Sequence, residues 1–316
     1  MFLNRRIAAL CAGILLLVSF SSCKSKFEKL RASNNIAQKY EEAVKLYENK
    51  KYSKALILFE DLRSKFRGQA EAENLYYFTA FANYRLKDYT SARYHFKDFA
   101  DVYPNSPRAE ECRFMSAYCY YLDSPRSSLD QENTRKAIDA LQLFVNLYPE
   151  SDRAKEAGDL IQKLRDKLEF KAFSNAKLLY DMGLNDDYRA AVIALQNVLK
   201  EYPDTKYAEE IEYLTLKSQY NFANQSTPFK QADRYAEVID YYRSLAMAFP
   251  NSKYLKEAES IRDNAEKKMK AATAYMATVN KAIAEQEKER KAAREKKDNK
   301  DNKDNKDNTQ NNESKK

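Results

Sequence analysis

The sequence predicts an all-α fold built from stacked helix pairs, and two observations carry this prediction. First, the chain has four glycines and 24 tyrosines, which suits helices with aromatic faces and disfavours turn-rich β folds. Second, one short pattern recurs, in which a small apolar residue is followed twelve positions later by proline. The four copies are Ala92 with Pro104, Ala137 with Pro149, Ala191 with Pro203, and Val238 with Pro250.

Each copy of the pattern is predicted to be the second helix of a helical hairpin. The small residue lets two helices approach closely, and proline ends the helix because it has no N–H. A large apolar residue lies four positions after each small one: Phe96, Leu141, Leu195 and Tyr242. Tyr52, Ala55 and Phe59 form a further copy without proline. Steps of 37 to 54 residues indicate a tetratricopeptide-type helical solenoid of about five helix pairs. The alternative is an ordinary helical bundle with chance prolines.

The helices of this solenoid can be placed in order along the chain. The predicted pairs are 27–50 with 52–66, 70–86 with 88–103, 106–122 with 131–148, 152–182 with 187–202, and 205–223 with 232–249. Ser106 is expected to be an N-cap, with Pro107 at the first helical position. Exposed loops are predicted at 123–130 and 224–228 because these segments are rich in turn-forming residues.

The N-terminal segment is predicted to be a signal peptide at residues 1–22. Two arginines precede an almost wholly apolar stretch, residues 7–20, which is too short to span a bilayer. Cys23 then follows two serines, a pattern that resembles a bacterial lipobox whose cysteine is acylated. Lys24 favours the outer membrane in that pattern, and no acidic cluster directs the chain to the cell surface. We therefore expect a lipid anchor at Cys23 and a body facing the periplasm; an incidental cysteine is the alternative.

The C-terminal segment is predicted to leave the packed repeats. Residues 252–297 keep a helical pattern, but the second half becomes rich in Lys, Glu and Ala. The triplet Lys-Asp-Asn then recurs up to residue 308, and a sequence of this kind cannot bury a core, so we expect disorder there. The predicted organisation is a signal peptide with lipobox at 1–22, a helical-repeat domain at 23–280, and a charged helix with a disordered tail at 281–316.

Reaction chemistry is not evident in the sequence. His95 is the single histidine and is expected to pack or lie at the surface of a helix. Cys112 and Cys119 are seven positions apart on one predicted helix, hence about 10 Å apart and out of disulfide reach. No Cys/His group has metal-ligand spacing, and no glycine cluster could cradle a phosphate. We expect no enzyme, no cofactor and no metal, and no nucleic-acid partner for an exported chain.

A binding surface is therefore the predicted functional element. First helices line the concave face of such a solenoid, which suits extended peptides or partner helices. Aromatic residues are dense on two of these helices, and tyrosine favours recognition because it combines a large contact area with a polar tip. The candidate peptide- or partner-binding residues are Tyr76, Tyr77, Phe81, Tyr84, Tyr118 and Tyr121.

Several segments together with the lipobox resemble the BamD family, tetratricopeptide lipoproteins of the outer-membrane β-barrel assembly machinery. The resemblance spans about residues 27–268. It is carried by Tyr148-Pro149-Glu150-Ser151, Tyr202-Pro203-Asp204-Thr205, Leu129-Asp130-Gln131 before Lys136-Ala137-Ile138, and Leu168-Glu169-Phe170-Lys171-Ala172.

This resemblance implies a non-catalytic periplasmic scaffold. Its implied partners are a BamA-like assembly protein, other subunits of the machinery and unfolded precursors of β-barrel outer-membrane proteins. We expect the N-terminal aromatic groove to capture precursors and the C-terminal pairs to dock the assembly protein. Two alternatives stay open: a SusD-like glycan-binding lipoprotein, and a scaffold of another cell-envelope or secretion complex.

Overall fold

The computed structural model describes residues 26–183 and 185–313, with side chains at 26–183 and 187–294. The predicted signal peptide and Cys23 lie outside this part of the chain. Within it there are twelve helices and no strand. The helices are α1 (Lys26–Ala32), α2 (Ile36–Glu48), α3 (Tyr52–Arg63), α4 (Glu71–Arg85), α5 (Tyr89–Val102), α6 (Ala109–Leu122), α7 (Glu132–Leu147), α8 (Asp152–Met182), α9 (Asn185–Glu201), α10 (Ala208–Asn224), α11 (Pro228–Ala248) and α12 (Leu255–Glu313).

Helices that are neighbours in sequence pack against one another. Helix α2 packs on α3, α4 on α5, α6 on α7 and α10 on α11, while α12 covers both α10 and α11. The contacts divide the chain into two compact units, with the boundary between Leu168 and Glu169 inside α8. The helix order is that of five pairs, with α2, α4, α6, α8 and α10 as first helices. The predicted all-α, tetratricopeptide-type fold is confirmed.

The small residues of the repeated pattern are all in the core. Each is completely buried in its second helix: Ala55, Ala92, Ala137, Ala191 and Val238. The large residues one turn later are also completely buried in four of the five helices: Phe59, Phe96, Leu141 and Leu195. Tyr242 is the exception, because it stays half-buried and carries the guanidinium of Arg262 over its ring, 4.6 Å from the centroid.

The proline junctions end these second helices in one recurring geometry. Tyr103, Tyr148 and Phe249 each precede proline and leave the helical region, with φ between −121° and −133° and ψ between 58° and 71°. The following proline ring causes this, since it clashes with a helical residue before it. The N–H of Ser106 then donates to the carbonyl of Tyr103 at 3.0 Å, and equivalent bonds form at Ser151, Thr205 and Ser252.

This junction corrects the predicted start of α6. The hydroxyl oxygen of Ser106 accepts from the N–H of Arg108 at 3.1 Å, as a cap would, but it caps the junction turn. The helix itself begins three residues later, at Ala109, with Arg108 in the N-cap position. The junction turn separates Ser106 from the helix, because the hydrogen bond from the Ser106 N–H to the Tyr103 carbonyl closes this turn ahead of the first helical hydrogen bonds of α6.

A further segment differs from the sequence prediction. The first predicted helix, 27–50, is broken at 33–35, because Asn35 leaves the helical region and its side chain accepts from the N–H of Gln38 at 3.0 Å. At the other end of the chain, α12 is described as helical as far as Glu313. The expected disorder of the Lys-Asp-Asn segment in solution stays a prediction.

Each unit has its own hydrophobic core. In the first unit, α4 to α8 share a core that contains Phe96, Phe114, Phe144 and both internal cysteines. In the second unit, residues of α8 to α12 form a core around Leu195, Leu216 and Val238, with the rings of Tyr213 and Tyr254 stacked at 4.2 Å. Among the described helices, none combines the length and the apolar character needed to cross a membrane.

We predict that Ala92→Leu lowers the free energy of unfolding by about 1–3 kcal/mol, because the added carbons have no space at a completely buried helix contact. Urea unfolding followed by circular dichroism measures the change. Ala277→Leu, at an exposed position of α12, is the matched control and should change stability by less than about 0.5 kcal/mol. Equal effects of the two substitutions would contradict the assigned contact.

We also predict that Cys112 and Cys119 resist alkylation until the chain unfolds. Burial raises the pKa of each thiol from its usual value near 9 to about 12, so the reactive thiolate is scarce in the folded protein. Because the unfolded chain loses these protons at lower pH, stability should fall as the pH rises from about 9 towards 12. Iodoacetamide labelling with and without urea, read by mass spectrometry, tests this. Asn105→Cys, at an exposed position, should react in the folded chain.

Candidate functional site

The candidate site is an aromatic face on the first helices of the N-terminal unit. Tyr77, Phe81 and Tyr84 lie on α4 at helical spacings of four and three, so they share one side of the helix. Phe114, Tyr118 and Tyr121 occupy the equivalent positions of α6, 37 residues later. Phe114 is buried, and the other five rings are half-buried. We call these six residues the aromatic face.

Ring contacts hold the aromatic face in place. On α4, the ring centroids of Tyr77 and Phe81 are 4.6 Å apart, and Phe81 meets the buried Phe96 edge-on at 4.8 Å. On α6, Tyr118 stacks between Phe114 at 5.8 Å and Tyr121 at 5.7 Å. Tyr77, Phe81, Tyr84 and Tyr118 thus each meet a buried ring, and Tyr121 stacks on Tyr118, while part of each of the five rings remains accessible.

Polar contacts join the two helices and the start of α8 along this face. The hydroxyl of Tyr77 donates to a carboxylate oxygen of Glu111 at 2.9 Å. The guanidinium of Arg108 lies 4.5 Å from the Tyr77 ring centroid and donates to the side-chain oxygen of Asn74 at 2.7 Å. Arg153 lies in the same way over Phe114, at 4.7 Å. These cation–π contacts place positive charge beside the rings.

The structure separates Tyr76 from the other five predicted residues. Its ring lies between two second helices, with Tyr103 edge-on at 5.6 Å and the guanidinium of Arg63 at 4.6 Å. Since neighbouring residues on a helix point about 100° apart, Tyr76 cannot share a side with Tyr77. Tyr77, Phe81, Tyr84, Tyr118 and Tyr121 are brought together on the aromatic face.

Three tyrosines of this face, Tyr77, Tyr84 and Tyr118, have a raised pKa, so their hydroxyls stay protonated. Burial raises the pKa of Tyr77 strongly, and the hydrogen bond to the Glu111 carboxylate raises it further. Burial and neighbouring tyrosines also raise the pKa of Tyr84 and Tyr118. The face thus offers apolar ring surface, neutral O–H donors and guanidinium groups, which together suit an extended peptide with apolar side chains and free carbonyl groups.

Two features of the site escaped the sequence analysis. The first is the pair of arginines Arg108 and Arg153. The sequence feature that could have revealed them is their common position, two residues after the serine of a proline junction. The second is that the same three positions recur on α2 as Tyr40, Val44 and Tyr47, of which two are aromatic. The signal for this was the same 37-residue step that separates the patterns on α4 and α6.

Groups that could carry a reaction do not converge here. His95 lies on the second helix α5, where burial and then the charge of Arg63 lower its pKa. Its ring packs against Tyr94 at 5.3 Å. Among the described side chains, no group of three or more His, Cys, Asp or Glu residues could hold a metal ion.

Several curated relatives cover most of the chain at low identity, and each is named outer membrane protein assembly factor BamD. The relative from Neisseria meningitidis serogroup B is 24% identical over 233 residues, covering 71% of this chain and 82% of its own. The relative from Rickettsia prowazekii is 22% identical and covers 81% of this chain and 96% of its own. The relative from Caulobacter vibrioides is 22% identical and covers 65% of this chain and 67% of its own.

A family model described as YfiO, outer membrane lipoprotein, matches residues 32–210. This stretch contains the whole aromatic face and all four helices from α4 to α7 that support it. It exceeds half of the chain and agrees with the relatives of three different bacterial genera. The chain belongs to the YfiO family of outer membrane lipoproteins.

Proposed function

We propose that this chain is an assembly factor for outer-membrane proteins, held at the periplasmic face of the outer membrane by an acylated Cys23. Family membership and the names of its relatives support the assembly role and favour it over the glycan-binding and secretion-scaffold alternatives. The lipobox pattern at Cys23 supports the anchor. The role is one of binding, in keeping with a candidate site made of rings, hydroxyls and guanidinium groups.

Within this role, the aromatic face holds unfolded precursors of β-barrel outer-membrane proteins. Strands of such barrels alternate apolar and polar residues, so an unfolded precursor presents aromatic and aliphatic side chains together with unpaired backbone carbonyls. The half-buried rings of Tyr84 and Tyr118 supply apolar contact and O–H donors of the matching kind. The single observation that carries this proposal is the aligned row of rings on α4 and α6.

The C-terminal unit docks the barrel-forming assembly protein. This is the BamA-like partner that the resemblance to the BamD family implies. A cavity of about 440 Å³ at the start of α11 supports this assignment, with Tyr235, Ala272 and Tyr275 among its lining residues. Phe229, next to the lining residue Pro228, is 64% exposed, and Tyr275 is 54% exposed. Large exposed apolar groups around a cavity are typical of partner contacts.

We predict that Tyr84→Ala combined with Tyr118→Ala weakens the binding of an unfolded β-barrel precursor at least about ten-fold, because anchor rings of an interface contribute 1–3 kcal/mol or more. Fluorescence anisotropy of a labelled precursor segment measures the affinity. Tyr76→Ala is the matched control: it removes a tyrosine from the same helix but from a different side, and should leave affinity within about two-fold. A double variant that binds like the native chain would refute the assignment.

We predict that Phe229→Ser with Tyr275→Ser reduces co-purification of the barrel-forming protein without changing precursor affinity, since both residues belong to the second unit. Quantitative mass spectrometry of complexes from gently solubilised outer membrane measures the ratio of the two proteins. Met247→Ser is the control, because Met247 is 82% exposed and does not line the cavity. The docking assignment fails if both variants retain the partner equally.

A further inference from the structure

The fold begins immediately after the predicted anchor. Helix α1 starts at Lys26, three positions after Cys23, and three residues span at most about 11 Å. Phe27 and Leu30 of α1 pack against the core of the first helix pair. Because two residues separate Cys23 from Lys26, the end of the first pair that carries α1 remains within a short chain length of the anchor.

This end of the first pair carries a concentration of positive charge. Residues 26–31 and 49–54 contain six basic side chains, all exposed, which we call the basic patch: Lys26, Lys29, Arg31, Lys50, Lys51 and Lys54. The single acidic residue in these two segments is Glu28, which pairs with Arg31 at 3.8 Å. The patch therefore keeps a net positive charge of several units.

One contact brings the two segments together. The ammonium nitrogen of Lys54 lies 5.6 Å from the ring centroid of Phe27, so α1 lies beside the start of α3. The turn that joins α2 to α3 immediately precedes Lys54, and it is tight: Lys50 has φ of 58°, and the N–H of Lys51 donates to the carbonyl of Leu46 at 2.8 Å. The charges of α1 and of this turn thus belong to one surface.

We propose that the basic patch binds the anionic phospholipid headgroups of the membrane that holds the acyl chains of Cys23. This inference rests on the anchor in the proposed function, and it adds a second membrane contact that orients the first helix pair. Each Lys or Arg near an anionic surface strengthens binding roughly five-fold, so six such side chains on one surface form a membrane contact that can be measured without the acyl chains.

Vesicle flotation tests the patch separately from the anchor. The probes are vesicles of phosphatidylcholine alone and vesicles that also contain phosphatidylglycerol. The mature chain with Cys23→Ala, which cannot be acylated, should float with the anionic vesicles and remain unbound with the neutral ones. Lys50→Glu, Lys51→Glu and Lys54→Glu in that background should lower the bound fraction at anionic vesicles more than about ten-fold. High salt should do the same, because it screens exposed charges.

A triple variant of equal charge change is the control: Lys256→Glu, Lys267→Glu and Lys270→Glu, all exposed on α12. It should alter binding less than about three-fold, since these residues are remote in sequence from the patch. Equal losses in both triple variants, or binding that ignores phosphatidylglycerol, would overturn the inference. If the acylated native chain failed to float with neutral vesicles, that result would contradict the anchor. The basic patch would still be tested by the binding of the Cys23→Ala chain to anionic vesicles.

Discussion

The fold depends on close contact between helices at a few small side chains. At Ala55, Ala92, Ala137, Ala191 and Val238 the second helix of each pair presents so little volume that its neighbours reach van der Waals contact with it. The large residue one turn later then fills the space beside that contact in four of the five pairs. Because the interior of a protein is packed as densely as an organic crystal, these positions fix how each helix lies on the next. The placement of every surface ring follows from them.

The proline junctions link this packing to the candidate site. Each junction ends a second helix and starts the turn into the next first helix. In two junctions an arginine follows two residues after the serine, and these arginines, Arg108 and Arg153, each lie over a ring of the aromatic face. The serines of these junctions also form hydrogen bonds to the preceding first helix. The hydroxyl of Ser106 donates to the carboxylate of Glu73 on α4 at 2.7 Å, and that of Ser151 donates to Glu110 on α6 at 2.5 Å. One short motif thus ends a helix, aligns the next and flanks the site with positive charge.

The sequence predicted those features that depend on spacing along a helix. The helix pairs and the buried small residues follow from periodicity and from proline, whereas the sequence left 152–182 open as one long helix or two abutting ones, and the structure has one. The sequence could not tell which of Tyr76 and Tyr77 lies on the aromatic face, since that depends on where the neighbouring helices pack. It also missed the stacking of Arg108 and Arg153, which joins groups more than 30 residues apart.

The pairing of helices with their neighbours in sequence has a consequence for how the chain acquires its structure. Contacts between nearby segments close short loops, so they cost little chain entropy and form quickly. A hairpin such as α4 and α5 can form before the later helices are available, and it then offers a surface on which the next pair assembles. A protein of this kind can become compact progressively from its N-terminal end, and exposes few long unpaired segments to aggregation while it folds.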